Sequence, residues 1–395
     1  MSAENPVVSR RVLLRTALLA PLGLAACGSD NPQIDLKPSS QPSASPTEIR
    51  TNSSLPDLEE QQKRAETELQ PSYLQWKKKY LTTRTGSLDV VSYGDFAPVE
   101  GHRLSEGRGY GMVLAGMMGD RETMDGLIKS DKSVQNPNGL SPWDIDEKDK
   151  VVDTTAATDG DEDMAFGAIL ADKLWGKETD KYRNYAKAKI TALMANTVEE
   201  DTYVLKPGDT WGGSEEGRNA INPSYLRPYY YPLFAQYTDD KRWEQVNKVN
   251  TELVKASANP TTGLVPDWAT TEGKPVTDYT GLGNDFAWDA ARSPIFLAQA
   301  ALATANPDAI SQLTKINATL KKDGPGEGSE RKTTGEVINA KTDALFASAA
   351  AAASIVDTDS NYRKATLERA IKTRGTYYGE SLRLITLGII SGKLR

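Results

Sequence analysis

The sequence predicts an all-α domain from about residue 58 onward, on three observations. Stretches of helical character recur along the chain to its C-terminus. Short turn-rich segments separate them, and alternating strand-like runs are few. No strand–helix–strand alternation of the parallel α/β kind is present.

Taken in order, residues 58–80 mix strong helix formers with aromatic residues at spaced intervals. Leu88-Asp89-Val90-Val91 is the best strand-like run. Helical stretches follow at 104–118, 163–173, 182–196, 223–236, 242–256, 288–303, 307–322, 341–353 and 377–390. Asn136-Pro137-Asn138-Gly139 and Asp323-Gly324-Pro325-Gly326-Glu327-Gly328 are turn sequences between them. About a dozen helices suit either a closed toroid of helical hairpins or an open solenoid. No repeat of fixed period stands out, which weighs slightly against the solenoid; pattern alone does not choose.

The chain has 395 residues and a formal charge of −7. No late stretch is long and apolar enough to span a bilayer. An acidic balance without a dense Lys/Arg run argues against nucleic acid as a partner. The one cysteine, Cys27, excludes an internal disulfide and a cysteine-based zinc site. The one histidine, His102, excludes a multi-histidine metal site, and a Ser-His-Asp triad would have to use it. No metal or cofactor is therefore expected, and carboxylate chemistry remains. A monomer is expected.

Residues 1–27 read as an export signal. Ser9-Arg10-Arg11-Val12-Leu13-Leu14 puts paired arginines before an apolar stretch that is too short for an ordinary transmembrane helix. Leu24-Ala25-Ala26-Cys27 resembles a bacterial lipobox, with Cys27 as the lipidated residue, and the arginine pair resembles a twin-arginine signal. The alternative is an ordinary leader with a chance cysteine. Residues 28–57 are rich in Ser, Pro, Asn and Thr and cannot bury enough apolar surface to offset their ordering entropy. They read as a flexible spacer holding a 58–395 domain off the outer face of the membrane.

Three clusters and a set of aromatics carry the candidate chemistry. Ser105-Glu106-Gly107-Arg108-Gly109-Tyr110-Gly111-Met112 opens a helix with three glycines, each costing about 1 kcal/mol there relative to Ala. A chain keeps them where the backbone bends or another group comes close. Glu106 among them is open to a ligand; the plain alternative is an acidic helix-start residue favoured by the dipole. Ala157-Thr158-Asp159-Gly160-Asp161-Glu162-Asp163 holds four carboxylates in five positions. It passes straight into a helix, unlike a calcium loop, and part of it reads as N-capping by Asp161 or Thr158. Asp289 and Arg292 lie at i and i+3 and can pair, either as a surface ion pair or, given their aromatic neighbours, in a cleft. Trp143, Trp211, Trp268 and Trp288 lie in turn-rich segments beside polar residues. They suit stacking on flat apolar ligand faces such as pyranose rings, Trp211 most of all, unless they merely close the ends of the helical bundle.

Together these segments resemble glycoside hydrolase family 8, from Trp76-Lys77-Lys78-Lys79-Tyr80-Leu81 to the C-terminus. The Glu106 segment is similar to that family's Ser-Glu-Gly-x-Gly-Tyr-Gly-Met, and 157–165 to its Ala-Thr-Asp-x-Asp. Asn222-Pro223-Ser224-Tyr225 and Tyr377-Tyr378-Gly379-Glu380-Ser381-Leu382 resemble later segments. Gly167, Leu226, Trp288 and Ser293 depart from the usual pattern. The resemblance implies an (α/α)6 barrel with an open cleft at one end and hydrolysis of a β-1,4-glucan with inversion. It implies Glu106 as general acid, Asp289 as general base, and Asp159 in contact with the distorted sugar, with Asp161 the less favoured candidate for that contact. Tyr110, Trp143, Trp211, Tyr225, Trp268, Arg292 and Tyr378 are the further expected substrate contacts. Chitosan or xylan as substrate, or a non-catalytic glycan-binding lipoprotein, are the alternatives.

Overall fold

A computed structural model describes residues 55–84, 86–95, 99–213, 219–276, 282–340 and 343–395. The expected export signal, with Cys27, and most of the expected spacer lie outside the described residues.

Twelve α-helices among the described residues alternate between an outer and an inner position. The outer ones are α1 (Glu59–Tyr80), α3 (Arg121–Val134), α5 (Lys181–Asn196), α7 (Arg242–Ser257), α9 (Pro307–Leu320) and α11 (Ser360–Lys372). The inner ones are α2 (Ser105–Met118), α4 (Thr158–Trp175), α6 (Tyr230–Thr238), α8 (Ser293–Thr304), α10 (Ala344–Ala353) and α12 (Tyr377–Ser391). The division follows from composition. Every residue of the alanine-rich α10 is buried, as is nearly all of α12, whereas α3 and α7 bury one stripe and turn charged residues to solvent.

The inner helices close into a ring. Helix α2 packs on α4, α8 on α10, α10 on α12, and α12 back on α2. Phe166 of α4 stacks on Tyr230 of α6, with ring centroids 4.1 Å apart, and Tyr230 meets Phe296 of α8 edge-on at 6.2 Å. Each such ring, fully buried, contributes roughly 1.5–3 kcal/mol relative to exposure. Outside the ring, the Trp76 indole of α1 donates to Ser381 of α12 at 2.8 Å, joining the first helix to the last. The fold is the expected (α/α)6 barrel, and the closed ring decides against the solenoid.

Several local expectations change. The helices at 121–134 and 360–372 are polar in overall composition and were not among the expected elements, although each is capped by an aspartate: Asp120 accepts from Thr123, and Asp359 from Asn361 and Tyr362. The expected 223–236 helix is interrupted. A 3-10 turn, Pro223–Tyr225, precedes a break at Leu226-Arg227-Pro228, because the residue before a proline is driven out of the α region. The strand-like run at 88–91 contributes to β2 (Ser87–Val90), paired with β1 (Leu81–Arg84).

A small sheet was not foreseen. Strands β3 (Arg103–Leu104), β4 (Pro142–Ile145) and β5 (Val151–Ala156) pair antiparallel in that order. Proline at the start of β4 and an irregular register hide the two-residue period. This sheet matters because β3 leads directly into α2 and β5 into α4. A final hairpin joins β6 (Glu330–Arg331) to β7 (Val337–Asn339).

Candidate active site

The N-terminal ends of four inner helices gather at one end of the barrel. Glu106 stands in the first turn of α2 and Asp159 in the first turn of α4. Tyr225 ends the 3-10 turn before α6, and Asp289 opens the 3-10 turn Ala290–Arg292 that runs into α8. Helix starts favour negative charge there. Together with Leu104, Ser105, Trp143, Ala157, Trp268 and Arg292, these four residues line one pocket.

Close approach of α2 and α4 sets the distance between the first two carboxyls, and glycine permits it. A Cβ on Gly109 would lie 2.6 Å from the Gly160 carbonyl, and one on Gly160 would lie 2.7 Å from Ser105 Oγ. Gly167, one of the departures from the family pattern, serves the same crossing: its Cβ would meet the Met112 backbone at 2.6 Å.

Arg292 organises the floor. Its guanidinium donates to Asp159 Oδ2 and, at 3.0 Å, to Asp289 Oδ1. The expected pairing of Asp289 with Arg292 is thus present, in a cleft rather than on the surface. The Tyr225 and Tyr378 rings flank the guanidinium at 5.0 and 5.9 Å. Burial pushes the Asp159 carboxyl up; Arg292 pulls it back, the nearby Glu106 and Asp163 carboxylates add to the rise, and the net direction is upward. Burial also holds the Tyr225 phenol well above its ordinary range, with Asp159 reinforcing it, so the hydroxyl remains a donor at neutral pH. Glu106 is only half-buried, and the Tyr377 hydroxyl donates to its Oε1. Ser105 and Trp143 line the pocket, but Ser105 Oγ and Trp143 Nε1 are themselves buried, without a hydrogen-bond partner among the described residues.

Of the predicted site residues, Glu106, Asp289, Asp159, Trp143, Tyr225, Trp268 and Arg292 are brought together. Four are not on the wall. Asp161 is sealed beneath the site, bound by Lys189 Nζ at 2.5 Å and by the Ser141 amide at 3.1 Å, so it is unavailable to a sugar. Trp211 is 4 % exposed and packs edge-on against Trp268 at 5.3 Å, where it backs the wall rather than forming it. Tyr110 and Tyr378 are fully buried and lie side by side at 6.1 Å; the Tyr378 hydroxyl donates to the Trp288 carbonyl. Both expectations came from proximity to the right residues, and a helix turns neighbouring positions inward. Conversely, Ser105 and Tyr377 were passed over. Each is a neighbour of a named residue, and only the helix phase distinguishes them.

Among the described residues no group of three or more His, Cys, Asp or Glu is arranged to hold a metal ion. His102 instead binds Asp144 Oδ1 at 2.6 Å and lies off the pocket. No helix among them is long and apolar enough to cross a membrane.

Comparison with known proteins gives a consistent result. The family described as glycosyl hydrolases family 8 matches residues 51–392. Endoglucanase 2 of Ruminiclostridium josui is 35% identical over 350 residues, covering 85% of this chain and 73% of its own. Endoglucanase A of Acetivibrio thermocellus is 36% identical over 339 residues, covering 82% and 69%. Among solved structures, a beta-1,3-1,4-glucanase from Paenibacillus sp. X4 superposes with a TM-score of 0.77 at 24% identity, covering 87% of this chain and 96% of that one, a likeness of fold.

Proposed function

Because the chain belongs to glycosyl hydrolases family 8 and is a glycoside hydrolase, we propose that it cuts internal β-1,4 bonds of a cellulose-like or mixed-linkage glucan with inversion, using Glu106 as general acid and Asp289 as general base. One observation carries this reading. Two carboxyls far apart in sequence line a single pocket, with a third, Asp159, tied to the second by one guanidinium.

The chemistry follows. Glu106 gives its proton to the glycosidic oxygen as the bond to the anomeric carbon breaks. Asp289 takes a proton from a water, whose oxygen attacks that carbon from the opposite ring face. The product has inverted configuration, and proton exchange with solvent resets both carboxyls. Asp159, paired with Arg292, accepts a hydrogen bond from a ring hydroxyl of the distorted sugar in this scheme. Trp143 and Trp268 offer flat faces along the same pocket. The glucan assignment draws on the endoglucanase relatives named above and on a beta-glucanase of Niallia circulans, 28% identical over 344 residues. For residues 1–57 we propose a lipid anchor on Cys27 and a spacer; a Cys27→Ser chain still recovered with membranes would end that part.

Sugar release from carboxymethylcellulose, lichenan, chitosan and xylan tests the substrate class. Activity on the first two is expected, and proton NMR of fresh product should show inversion. Cleavage confined to chitosan or xylan would replace the substrate, retained configuration would replace the mechanism, and binding without cleavage would replace both.

A further inference from the structure

Arg292 fixes the carboxylate of Asp289 and, from its Nε at 3.4 Å and its amide at 3.1 Å, the Asp289 carbonyl, but it holds none of the amides around that residue. Those amides belong to a segment, 283–290, lying along the Trp268 loop. Asp267 N donates to Asp285 O at 2.8 Å, and Trp268 N to Gly283 O at 3.0 Å. Between these backbone bonds and α8 a buried side chain completes the fastening. Asp267 is 7 % exposed, and its Oδ1 accepts from Ala290 N at 2.7 Å and from Ala287 N at 3.3 Å. The two amides bracket Trp288-Asp289, so one carboxylate oxygen holds the 286–287 peptide before that pair and the 289–290 peptide directly after the base.

A carboxylate is costly to bury and is retained where it meets donors that need a strong acceptor. The Ala287 and Ala290 amides precede the first full turn of α8, where helix amides lack partners within the helix. Asp267 is also joined through one peptide bond to Trp268, a wall of the pocket. The same short loop therefore presents a substrate-facing indole and locks the base turn opposite it.

We propose that Asp267 is a positioning residue for the hydrolysis: its carboxylate holds the 287–290 turn so that Asp289 meets the attacking water in line, and it keeps Trp268 and Asp289 in fixed register. This rests on the proposed role of Asp289 as base. Asp267 touches neither substrate nor water in this scheme, so its loss acts on turnover more than on binding.

The test compares Asp267→Ala, Asp267→Asn and Asp267→Glu in the full chain, with Asp289→Ala as control, by steady-state kinetics on whichever glucan the substrate panel identifies. Loss of the acceptor in the Ala variant, or its displacement by an extra methylene in the Glu variant, should lower kcat by up to about 10²-fold while KM changes by no more than about twofold, since a misplacement near 1 Å has effects of that size. Asn keeps an oxygen at the same reach and should restore most of kcat. Should the Ala variant fail to fold, the Asn and Glu pair decides. Near wild-type kcat in the Glu variant, equal defects in Asn and Glu, or a defect confined to KM would each overturn the positioning role. Full activity of Asp289→Ala would instead remove the base assignment itself, whatever Asp267 does.

Discussion

Two clusters of charge occupy the same end of the barrel and draw on the same two helices, yet they differ in balance. In the pocket, Glu106, Asp159 and Asp289 stand around a single guanidinium, Arg292. Beneath it, Asp131 and Asp161 share Lys189, while Asp89 is held by Arg108 at 2.7 Å and by Ser130 at 2.7 Å. Glu106 and Arg108 are two residues apart on α2, and Asp159 and Asp161 two apart on α4. A step of two residues turns a side chain about half-way round a helix, from the pocket to the sealed interior. The sealed cluster is near neutral and saturated with hydrogen bonds, which suits holding helices in place. The pocket cluster has a surplus of carboxyls over cations, so a proton is readily kept there, and that is the raw material of acid–base chemistry.

This contrast is broken most directly by exchanging one side chain in each cluster. Glu106→Gln should lower hydrolysis about 10²–10⁴-fold, the contribution of general acid catalysis, with unfolding in urea unchanged. Lys189→Met should do the reverse. Removing the one cation between Asp131 and Asp161 leaves buried charge uncompensated, at a cost of about 3–5 kcal/mol in urea unfolding, while the folded fraction retains turnover. A Lys189 variant that is fully stable but inactive would assign that lysine to the chemistry and erase the distinction.

A smaller effect sharpens it. Glu162 follows Asp161 on α4 and lies fully inside the barrel; burial holds its carboxyl well above the ordinary range, with Arg227 opposing. The native state therefore keeps a proton that the unfolded chain releases above its ordinary value, about 4.3. Stability contributed by the protonated form is complete below that value and declines as pH rises toward the folded one. Glu162→Gln lacks this slope. Its stability relative to wild type should rise between pH 5 and pH 7, by at most about 1.4 kcal/mol per pH unit. Parallel curves for the two proteins would place Glu162 among ordinary carboxylates.

Much of the site was legible along the chain because helix starts concentrate their signals. Glu106 sits among glycines and Asp159 in a dense acidic run, and Asp289 stands three residues before its arginine. The same density misled at Asp161, since an acidic run does not reveal which carboxyls face outward. Trp211 misled because glycine and aspartate neighbours mark a loop whether its indole faces a ligand or another indole. The three-stranded sheet was illegible for a different reason: its strands are short, irregular in register and joined across loops, so no period survives.

The sequence by itself determined the all-α class, most of the helices and the residue types available for chemistry, because those depend on propensity, periodicity and composition within a few turns of chain. Only the tertiary structure decided which carboxyls line the pocket and which became partners of lysine. That choice depends on helix phase and on how closely α2 and α4 approach at Gly109 and Gly160, and such contacts between distant segments leave no local trace.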